Sequence, residues 1–153
     1  MHNNCLQCGL WKGCKSPWMR GRGPIPASIM LIGEAPGEVE DEKYIPFVGK
    51  AGKLLSSILS SIGQGLEESA YITNAVRCRP TKRVGGRLEN RIPTVKEIAL
   101  CGIYLRREIS LVKPRLIIVL GATPISGITG KGVTQVGTYR LRPLSMSEVS
   151  IDL

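Results

Sequence analysis

The chain is poor in histidine, phenylalanine and acidic residues. Its 153 residues include one His and one Phe, and aromatic side chains make up only 5%. No run of about 18 apolar residues occurs, so a membrane-spanning helix is not expected, and the first residues lack the basic-then-apolar pattern of a signal peptide. With 42% hydrophobic and 22% charged residues, the composition excludes wholesale disorder and predicts a single domain over residues 1–153. The lack of a signal-peptide pattern leads us to expect a cytoplasmic protein.

Acidic residues are too few to balance the basic ones. Asp and Glu number 12 against 21 Lys and Arg, which gives a formal charge of +9. Such an excess favours a polyanionic partner, most often nucleic acid. A generically basic soluble protein would have the same composition, so charge alone does not decide between the two.

Short apolar runs alternate with helical patterns along the middle of the chain. Residues 28–32, 71–73 and 116–120 have the composition of buried strands, and residues 51–62 have apolar side chains at helical spacing. Thr94 with Glu97 forms a capping box that begins a second helix. This order predicts an α/β fold with a parallel sheet and helices on its faces. Residues 1–27, rich in Cys, Gly and Pro, predict an irregular segment.

Three loops leave the carboxyl ends of the predicted strands. They are Gly33–Asp41, Asn74–Arg91 and Gly121–Thr123. In open α/β sheets, binding sites form at this edge. We therefore expect the polar side chains of Glu34 and Asn74 to face one crevice.

The five cysteines are spaced for metal ligation rather than for disulfides. Cys5 and Cys8 form a Cys-x2-Cys pair, while Cys78 and Cys101 have 22 residues between them. Thiolates suit an iron–sulphur cluster or zinc, but the wide second spacing is unlike the two short knuckles of a zinc ribbon. Five buried thiols without a metal are the plain alternative. Cys14 is expected to stay unligated.

The glycine-rich segments do not predict nucleotide hydrolysis. Residues 49–54 look like a P-loop, but Phe47 stands where the pattern needs Gly and Leu54 where it needs Ser or Thr. The loop from Gly33 to Gly37 allows close approach of backbone to a ligand, although a plain turn explains it equally well. Phe47, which lies between turn signals, fits either a core residue or a platform on which a base stacks.

Taken together, these residues resemble the family 4 uracil-DNA glycosylases, the iron–sulphur type. The similar blocks run in order from Cys5 to about Gly121: Cys5–Cys8, Ile29–Gly37 with Glu40 and Asp41, Pro46–Gly52, Tyr71–Asn74 through Cys78–Pro80, Asn90–Pro93, and Cys101.

The resemblance implies a three-layer α/β/α fold with a central parallel four-stranded sheet. Residues 1–27 would bind the cluster, 28–121 would form the matching core, and 122–153 would be a diverged end. It also implies a [4Fe–4S] cluster on Cys5, Cys8, Cys78 and Cys101. The activity implied is that of a DNA repair hydrolase, a monomer that cleaves the N-glycosidic bond of uracil in single- or double-stranded DNA.

The resemblance also assigns roles to individual residues. Phe47 would stack on the flipped uracil, and Asn74 would offer a donor and an acceptor to the pyrimidine edge. Glu34 and the backbone amides from Ala35 to Gly37 would hold the base and orient water near the sugar. Six basic residues would contact DNA phosphates: Arg77, Arg79, Lys82, Arg83, Arg87 and Arg91.

Two departures from the family are visible. The family has a C-terminal motif beginning His-Pro, whose His donates to the departing uracil, but the one His here is His2. We therefore expect a truncated C-terminal part, and a catalytically inactive homologue that binds DNA or a partner is the alternative function. A zinc-containing nucleic-acid-binding protein is a third. The second departure is a longer loop between Cys78 and Asn90.

Overall fold

The structure, a computed structural model, describes residues 5–61, 63, 68 and 70–132. The strands are β1 (Ile29–Gly33), β2 (Ala70–Asn74), β3 (Thr81–Val84), β4 (Arg87–Asn90) and β5 (Leu116–Val119). The helices are α1 (Glu38–Lys43), α2 (Lys50–Ser61), α3 (Val95–Val112) and α4 (Ala122–Thr129), and a 3-10 turn spans Leu10–Gly13.

The predicted parallel sheet is confirmed. Its strand order is β2-β1-β5, and both neighbours run parallel to β1. The register pairs Gly33 with Asn74 and Ile32 with Val119, so the carboxyl ends of the strands meet at one edge. In the described part of the chain this sheet has three strands rather than the expected four. Residues 133–153 of the expected diverged end lie outside the described residues.

Helices cover both faces of the sheet, because side chains of a strand alternate between its faces. Met30 and Ile32 point to the face covered by α3 and α4, where Leu105 and Ile128 pack against them. Leu31 points the other way and packs with α2, which contributes Leu55 and Leu59. The result is the expected α/β/α layering.

Helix α3 begins and ends where the sequence predicts. The Thr94 hydroxyl accepts a hydrogen bond from the Glu97 backbone N–H (3.3 Å), and the Glu97 carboxylate accepts one from the Thr94 N–H (2.7 Å). The helix ends before Pro114 with Lys113 in the left-handed region, which satisfies its last carbonyls. Its buried face carries the predicted apolar residues, Ile98, Cys101, Leu105, Ile109 and Val112.

The N-terminal segment is irregular, as predicted, apart from its one 3-10 turn. It runs along the outer edge of β2, where Arg22 and Ile72 exchange two backbone hydrogen bonds of 2.9 and 2.7 Å. Buried Asp41 fixes it from the other side by accepting hydrogen bonds from the backbone N–H groups of Lys15 and Ser16. The segment therefore closes one edge of the sheet without extending it by a full strand.

The prediction of a basic loop from Arg77 to Arg91 is wrong for the middle of this segment. Residues 81–90 form an antiparallel hairpin, β3–β4, around Gly85 and Gly86, which have φ values of +53° and +83°. Two consecutive glycines at positive φ are the turn that a tight hairpin favours. The sequence reasoning also missed α1, which occupies the second half of the loop Gly33–Asp41, and α4.

Across the described ranges, no helix combines the length and hydropathy needed to cross a membrane.

Candidate active site

The three loops at the carboxyl ends of the strands meet, as the sequence predicts. The backbone of Glu34 is fixed next to β2, because its carbonyl accepts a hydrogen bond from the Val76 N–H (3.0 Å). Its side chain reaches the other way, to the start of α4, where the Thr123 hydroxyl donates to Oε2 at 2.7 Å. Glu34 therefore connects all three strand ends.

A cavity of about 590 Å³ opens beside this junction. That volume lies within the usual range for small-molecule sites. Its walls come from the loop after β1, from Phe47 and the start of α2, from Asn74, and from Asn90 and Leu120. Glu34 also borders a second cavity of about 340 Å³ on the side of α4. The carboxylate thus lies between two accessible spaces.

Phe47 and Asn74 lie together over Gly33. An ideal Cβ on Gly33 would lie 2.5 Å from Cζ of Phe47 and 2.7 Å from Oδ1 of Asn74. No real side chain tolerates such distances, so Gly33 is required for the ring and the amide to approach one another. The flat ring and the amide consequently form adjoining walls of the cavity.

Asn74 is buried but keeps its side-chain amide available. The residue is 5% exposed and lines the cavity. Among the described residues, none forms a hydrogen bond with that side chain. A buried amide normally has partners, so this one is suited to a ligand that presents both an acceptor and a donor.

Phe47 has an unusual backbone conformation. Its φ is +58°, in the left-handed region that costs a non-glycine residue about 1–2 kcal/mol. Gly52 makes the conformation possible, because an ideal Cβ there would lie 2.1 Å from the Phe47 carbonyl oxygen. The ring packs on the sheet beside Leu31 and Ile72 and also lines the cavity. The core and platform interpretations of Phe47 therefore describe two sides of the same ring.

Glu40 organises the loop on the opposite wall. Its Oε1 accepts a hydrogen bond from the Gly49 N–H at 2.7 Å, and its Oε2 lies 2.8 Å from where a Cβ of Gly37 would stand. Gly37 and Gly49 thus enclose this carboxylate. The resemblance includes Glu40, but the sequence reasoning gave it no role in the site.

The six basic residues expected to contact phosphate divide into two groups. Arg77 is buried and makes a bidentate ion pair with Glu108, with N–O distances of 3.0 and 2.6 Å. Arg79 is also buried and donates to Asn90 and Glu38. Arg91 makes a bidentate pair with Glu97. The guanidinium groups of these three already bind protein carboxylates and amides, whereas Lys82, Arg83 and Arg87 are exposed on the hairpin. Contact of the six residues with phosphate stays a prediction.

Four of the cysteines lie in one apolar cluster between the N-terminal segment and α3. Cys78 and Cys101 are buried, and Cys8 and Cys14 are partly exposed at its edge, with Leu10, Val76 and Ile98 around them. The Trp18 N–H points at Cys78 Sγ (3.4 Å) and the Arg77 N–H at Cys101 Sγ (3.3 Å). Cys5 forms a side-chain hydrogen bond with Tyr104 on α3. This hydrogen bond raises the pKa of Tyr104.

The local environment shifts the acidities of these thiols in different directions. Burial raises the pKa of Cys101 to about 12, while the N–H and guanidinium of Arg77 oppose that rise. Burial also raises the pKa of Cys8, and its neighbours Cys78 and Cys5 add to the effect. A hydrogen bond from Cys14 lowers the pKa of Cys78 and raises that of Cys14 itself. Among Cys8, Cys14, Cys78 and Cys101, the surroundings lower the pKa of Cys78 and raise that of the other three.

The donor set suits an iron–sulphur cluster in its chemistry. Within the described residues, no three Cys, His, Asp or Glu side chains converge tightly enough to form a metal site as they stand. Nevertheless, Cys5, Cys8, Cys78 and Cys101 are electrostatic neighbours. Soft thiolate ligands, an apolar shell and N–H groups directed at sulphur are the features that iron–sulphur clusters use. Cys14, expected to be unligated, borders the same cluster through its contact with Cys78.

Two contributors to the site were missed by the sequence reasoning. Thr123 lies 89 residues from its partner Glu34, although the loop containing it was expected at the same edge. Glu108 looks like an exposed position on a long helix, yet it pairs with Arg77 and accepts a hydrogen bond from the Tyr71 hydroxyl (2.7 Å). Glu108 lies seven residues, or two helical turns, after the buried Cys101 on α3. This spacing could have indicated that Glu108 lies on the buried face of the helix.

The chain is similar in sequence to known uracil-DNA glycosylases. Residues 20–148 match the model of the uracil DNA glycosylase superfamily. The type-4 uracil-DNA glycosylase of Archaeoglobus fulgidus is 44% identical over 118 residues, or 77% of this chain and 55% of that protein. That of Saccharolobus solfataricus is 45% identical over 76% of this chain and 50% of its own. The type-4 uracil-DNA glycosylase of Pyrobaculum aerophilum is 39% identical over 140 residues, or 90% of this chain and 67% of that protein.

The chain thus spans about half the length of the first two of these relatives. The residues matched by the family model include the loops that form the cavity, together with Cys78 and Cys101. Family membership rests on both the family model and the relatives. The chain belongs to the uracil DNA glycosylase superfamily, and within it to the type-4 group.

Proposed function

We propose that this protein hydrolyses the N-glycosidic bond of uracil in DNA. One observation supports the proposal most strongly: the Asn74 amide lacks a protein partner among the described residues and lies beside the Phe47 ring in a cavity of about 590 Å³. A planar heterocycle with both a donor and an acceptor on one edge fits that combination. Uracil presents such an edge.

The base must leave the DNA stack to reach this cavity. Flipping costs a few kcal/mol, which stacking and hydrogen bonding in the pocket offset. In this proposal, Phe47 stacks on the uracil ring, and the Asn74 amide binds the O4 and N3–H edge. Cytosine presents the opposite donor and acceptor pattern there, so it would leave buried polar groups unpaired.

Glu34 and the loop that follows it act at the bond to be broken. Bond cleavage places negative charge on uracil and positive charge on the sugar. Backbone N–H groups between Ala35 and Gly37 are the donors proposed to stabilise the charge on uracil. Glu34, oriented by the Thr123 hydroxyl, is proposed to hold the water that adds to the sugar carbon.

We propose a [4Fe–4S] cluster on Cys5, Cys8, Cys78 and Cys101, with Cys14 outside the ligand set. When bound, the cluster supplies a covalent link between the N-terminal segment, the end of β2 and α3. Cys78 lies four residues after Asn74, so this link also supports the loop that carries the uracil-reading amide. The cluster is thus assigned a structural role.

The remaining features follow from the same family. We propose a fourth parallel strand beside β5. Strand β5 lies at the edge of the sheet, and its residue Leu116 is 53% exposed. We also propose that the protein is a monomer that acts on single- or double-stranded DNA. Since its substrate is cellular DNA, the protein is proposed to act inside the cell.

The proposal is tested with purified protein and a single-stranded oligonucleotide containing one uracil. Single-stranded DNA removes most of the flipping cost. The sequence has no His-Pro motif, and losing one donor to a developing oxyanion costs about 100- to 1,000-fold, so the protein is used in excess. Strand cleavage at uracil after alkali, with none in a thymine control, is expected. Folded protein that leaves uracil intact would favour the alternative of an inactive DNA-binding homologue.

A further inference from the structure

The β3–β4 hairpin is exposed on both faces. Its residues from Lys82 to Asn90 are all exposed, and among the described contacts its strands pair only with each other. Val84 and Leu88 are 44% and 40% exposed. Both faces are therefore available to a partner. Isolated two-stranded hairpins are marginal in water, so a partner would also stabilise this one.

The base of the hairpin is nevertheless held firmly. The Arg91 guanidinium donates to the Thr81 carbonyl (3.1 Å), and the Arg91 N–H donates to the Pro80 carbonyl (3.1 Å). The other nitrogens of Arg91 bind Glu97 at the start of α3. At the cavity, Arg79 Nε donates to Asn90 Oδ1 at 2.7 Å. The hairpin is therefore an arm with a fixed base and a free tip.

The register determines which side chains share the cavity side of this arm. Opposite residues of an antiparallel pair point to the same face, and the faces alternate along each strand. The pairs are Thr81 with Asn90, Lys82 with Glu89, Arg83 with Leu88, and Val84 with Arg87. Because Asn90 lines the cavity, Arg83 and Leu88 lie on that same face, farther out. Val84 and Arg87 lie on the opposite face.

The charge of the arm identifies the kind of partner. It carries three exposed cations, Lys82, Arg83 and Arg87, and one acid, Glu89. None of the three cations forms an ion pair with another described residue. A cationic side chain next to an exposed apolar one, on a face that continues from the cavity mouth, complements a nucleic-acid strand with its phosphates and bases.

We propose that the cavity-side face of the hairpin binds the DNA strand next to the flipped base. Arg83 contacts a phosphate, and Leu88 packs against the neighbouring sugar or base. This inference rests on the proposed function for its choice of DNA as partner. It adds a sided contact surface outside the cavity, and it assigns a role to the longer loop that departs from the family.

The test compares variants that differ only in the face they change. Arg83→Ala and Arg87→Ala remove the same charge from opposite faces, and Arg115→Ala removes it beside the amino end of β5, at the far edge of the sheet. Binding is measured by fluorescence anisotropy with a single-stranded oligonucleotide that contains thymine and is not cleaved. We expect Arg83→Ala to raise Kd about fivefold and to reduce the slope of log Kd against log salt by about 0.7. Arg87→Ala should have a smaller effect, and Arg115→Ala the smallest.

A second pair tests the apolar contact. Leu88→Ala should weaken binding without changing the salt slope, whereas Val84→Ala should have little effect. Equal effects of Arg83→Ala and Arg87→Ala would overturn the sided arm, as would no measurable binding of the parent protein to this oligonucleotide. Uracil excision by the parent is measured separately. If excision fails while the sided binding is observed, the proposed function is wrong, and the proposal that the hairpin binds DNA through its cavity-side face stands.

Discussion

The Thr123 hydroxyl donates a hydrogen bond of 2.7 Å to Glu34 Oε2 across the carboxyl ends of β1 and β5. Thr123 is buried in the first turn of α4, while Glu34 follows β1 and faces the cavity. This contact sets the direction of the carboxylate that we propose to orient water. It also makes the position of α4 part of the site, although α4 contributes no group to the proposed chemistry itself.

Thr123→Val should lower excision of uracil about 10- to 150-fold, because a hydrogen bond to a charged group contributes about 1.5–3 kcal/mol. The side chain keeps nearly the same shape, so the loss should appear as a change in the single-turnover rate rather than in thermal stability. Thr129→Val is the matched control, since Thr129 is buried in the same helix and donates to the Ile125 carbonyl instead. Equal rates for Thr123→Val and the parent would remove the positioning role.

Gly52→Ala should destabilise the protein, because its Cβ would lie 2.1 Å from the Phe47 carbonyl oxygen. Overpacking against the main chain costs about 1–3 kcal/mol or more, and relief requires Phe47 to leave its position over Gly33. We expect a lower midpoint in urea together with weaker excision. Gly132→Ala serves as the control, because no described atom lies within 4 Å of a Cβ there. An unchanged midpoint for Gly52→Ala would contradict the packing described around Phe47.

Glu108→Gln should destabilise the fold strongly, since it leaves the buried guanidinium of Arg77 without its charged partner. The two side chains are 10% and 4% exposed, and removing one member of a buried pair costs about 3–5 kcal/mol. The control is Glu42→Gln, which breaks the exposed pair with Lys15 and should change stability very little, because solvent screens the two charges. Chemical denaturation measures both. If Glu108→Gln were as mild as the control, the Arg77–Glu108 pair would not be a main support of the fold.

Cys101→Ala should abolish the visible absorbance and the bound iron of anaerobically purified protein, and it should lower thermal stability. Cys101 lies in the buried cluster and belongs to the proposed ligand set. Cys14→Ala should retain both iron and absorbance, because Cys14 is placed outside that set. Iron analysis of the five single cysteine variants decides the assignment. Loss of iron from Cys14→Ala with retention in Cys5→Ala would exchange the roles of these two residues.

The sequence predicted the fold where local signals and burial agree. The capping box of Thr94 and Glu97 defined the start of α3, and the three apolar runs became the three parallel strands. The crevice followed because parallel strands put their carboxyl ends at one edge. These features depend on residues close together in sequence, or on a general rule of topology.

The features that the sequence did not predict were missed for different physical reasons. Composition cannot distinguish an exposed arginine from a buried one, so Arg77 was counted with the hairpin cations although Glu108 neutralises it inside the protein. The φ of Phe47 depends on the absence of a Cβ at Gly52, five residues later. The hairpin had a sequence signal in Gly85-Gly86, and the basic residues around it were interpreted by charge instead of by turn chemistry.

The most direct test is single-turnover release of uracil by the parent protein and by Asn74→Ala, measured on the same single-stranded oligonucleotide. We predict measurable release by the parent and a loss of at least about 100-fold in Asn74→Ala, with iron content and thermal stability unchanged. Release by Asn74→Ala at the parent rate would contradict it, because the unpartnered amide beside Phe47 would then have no part in reading the base.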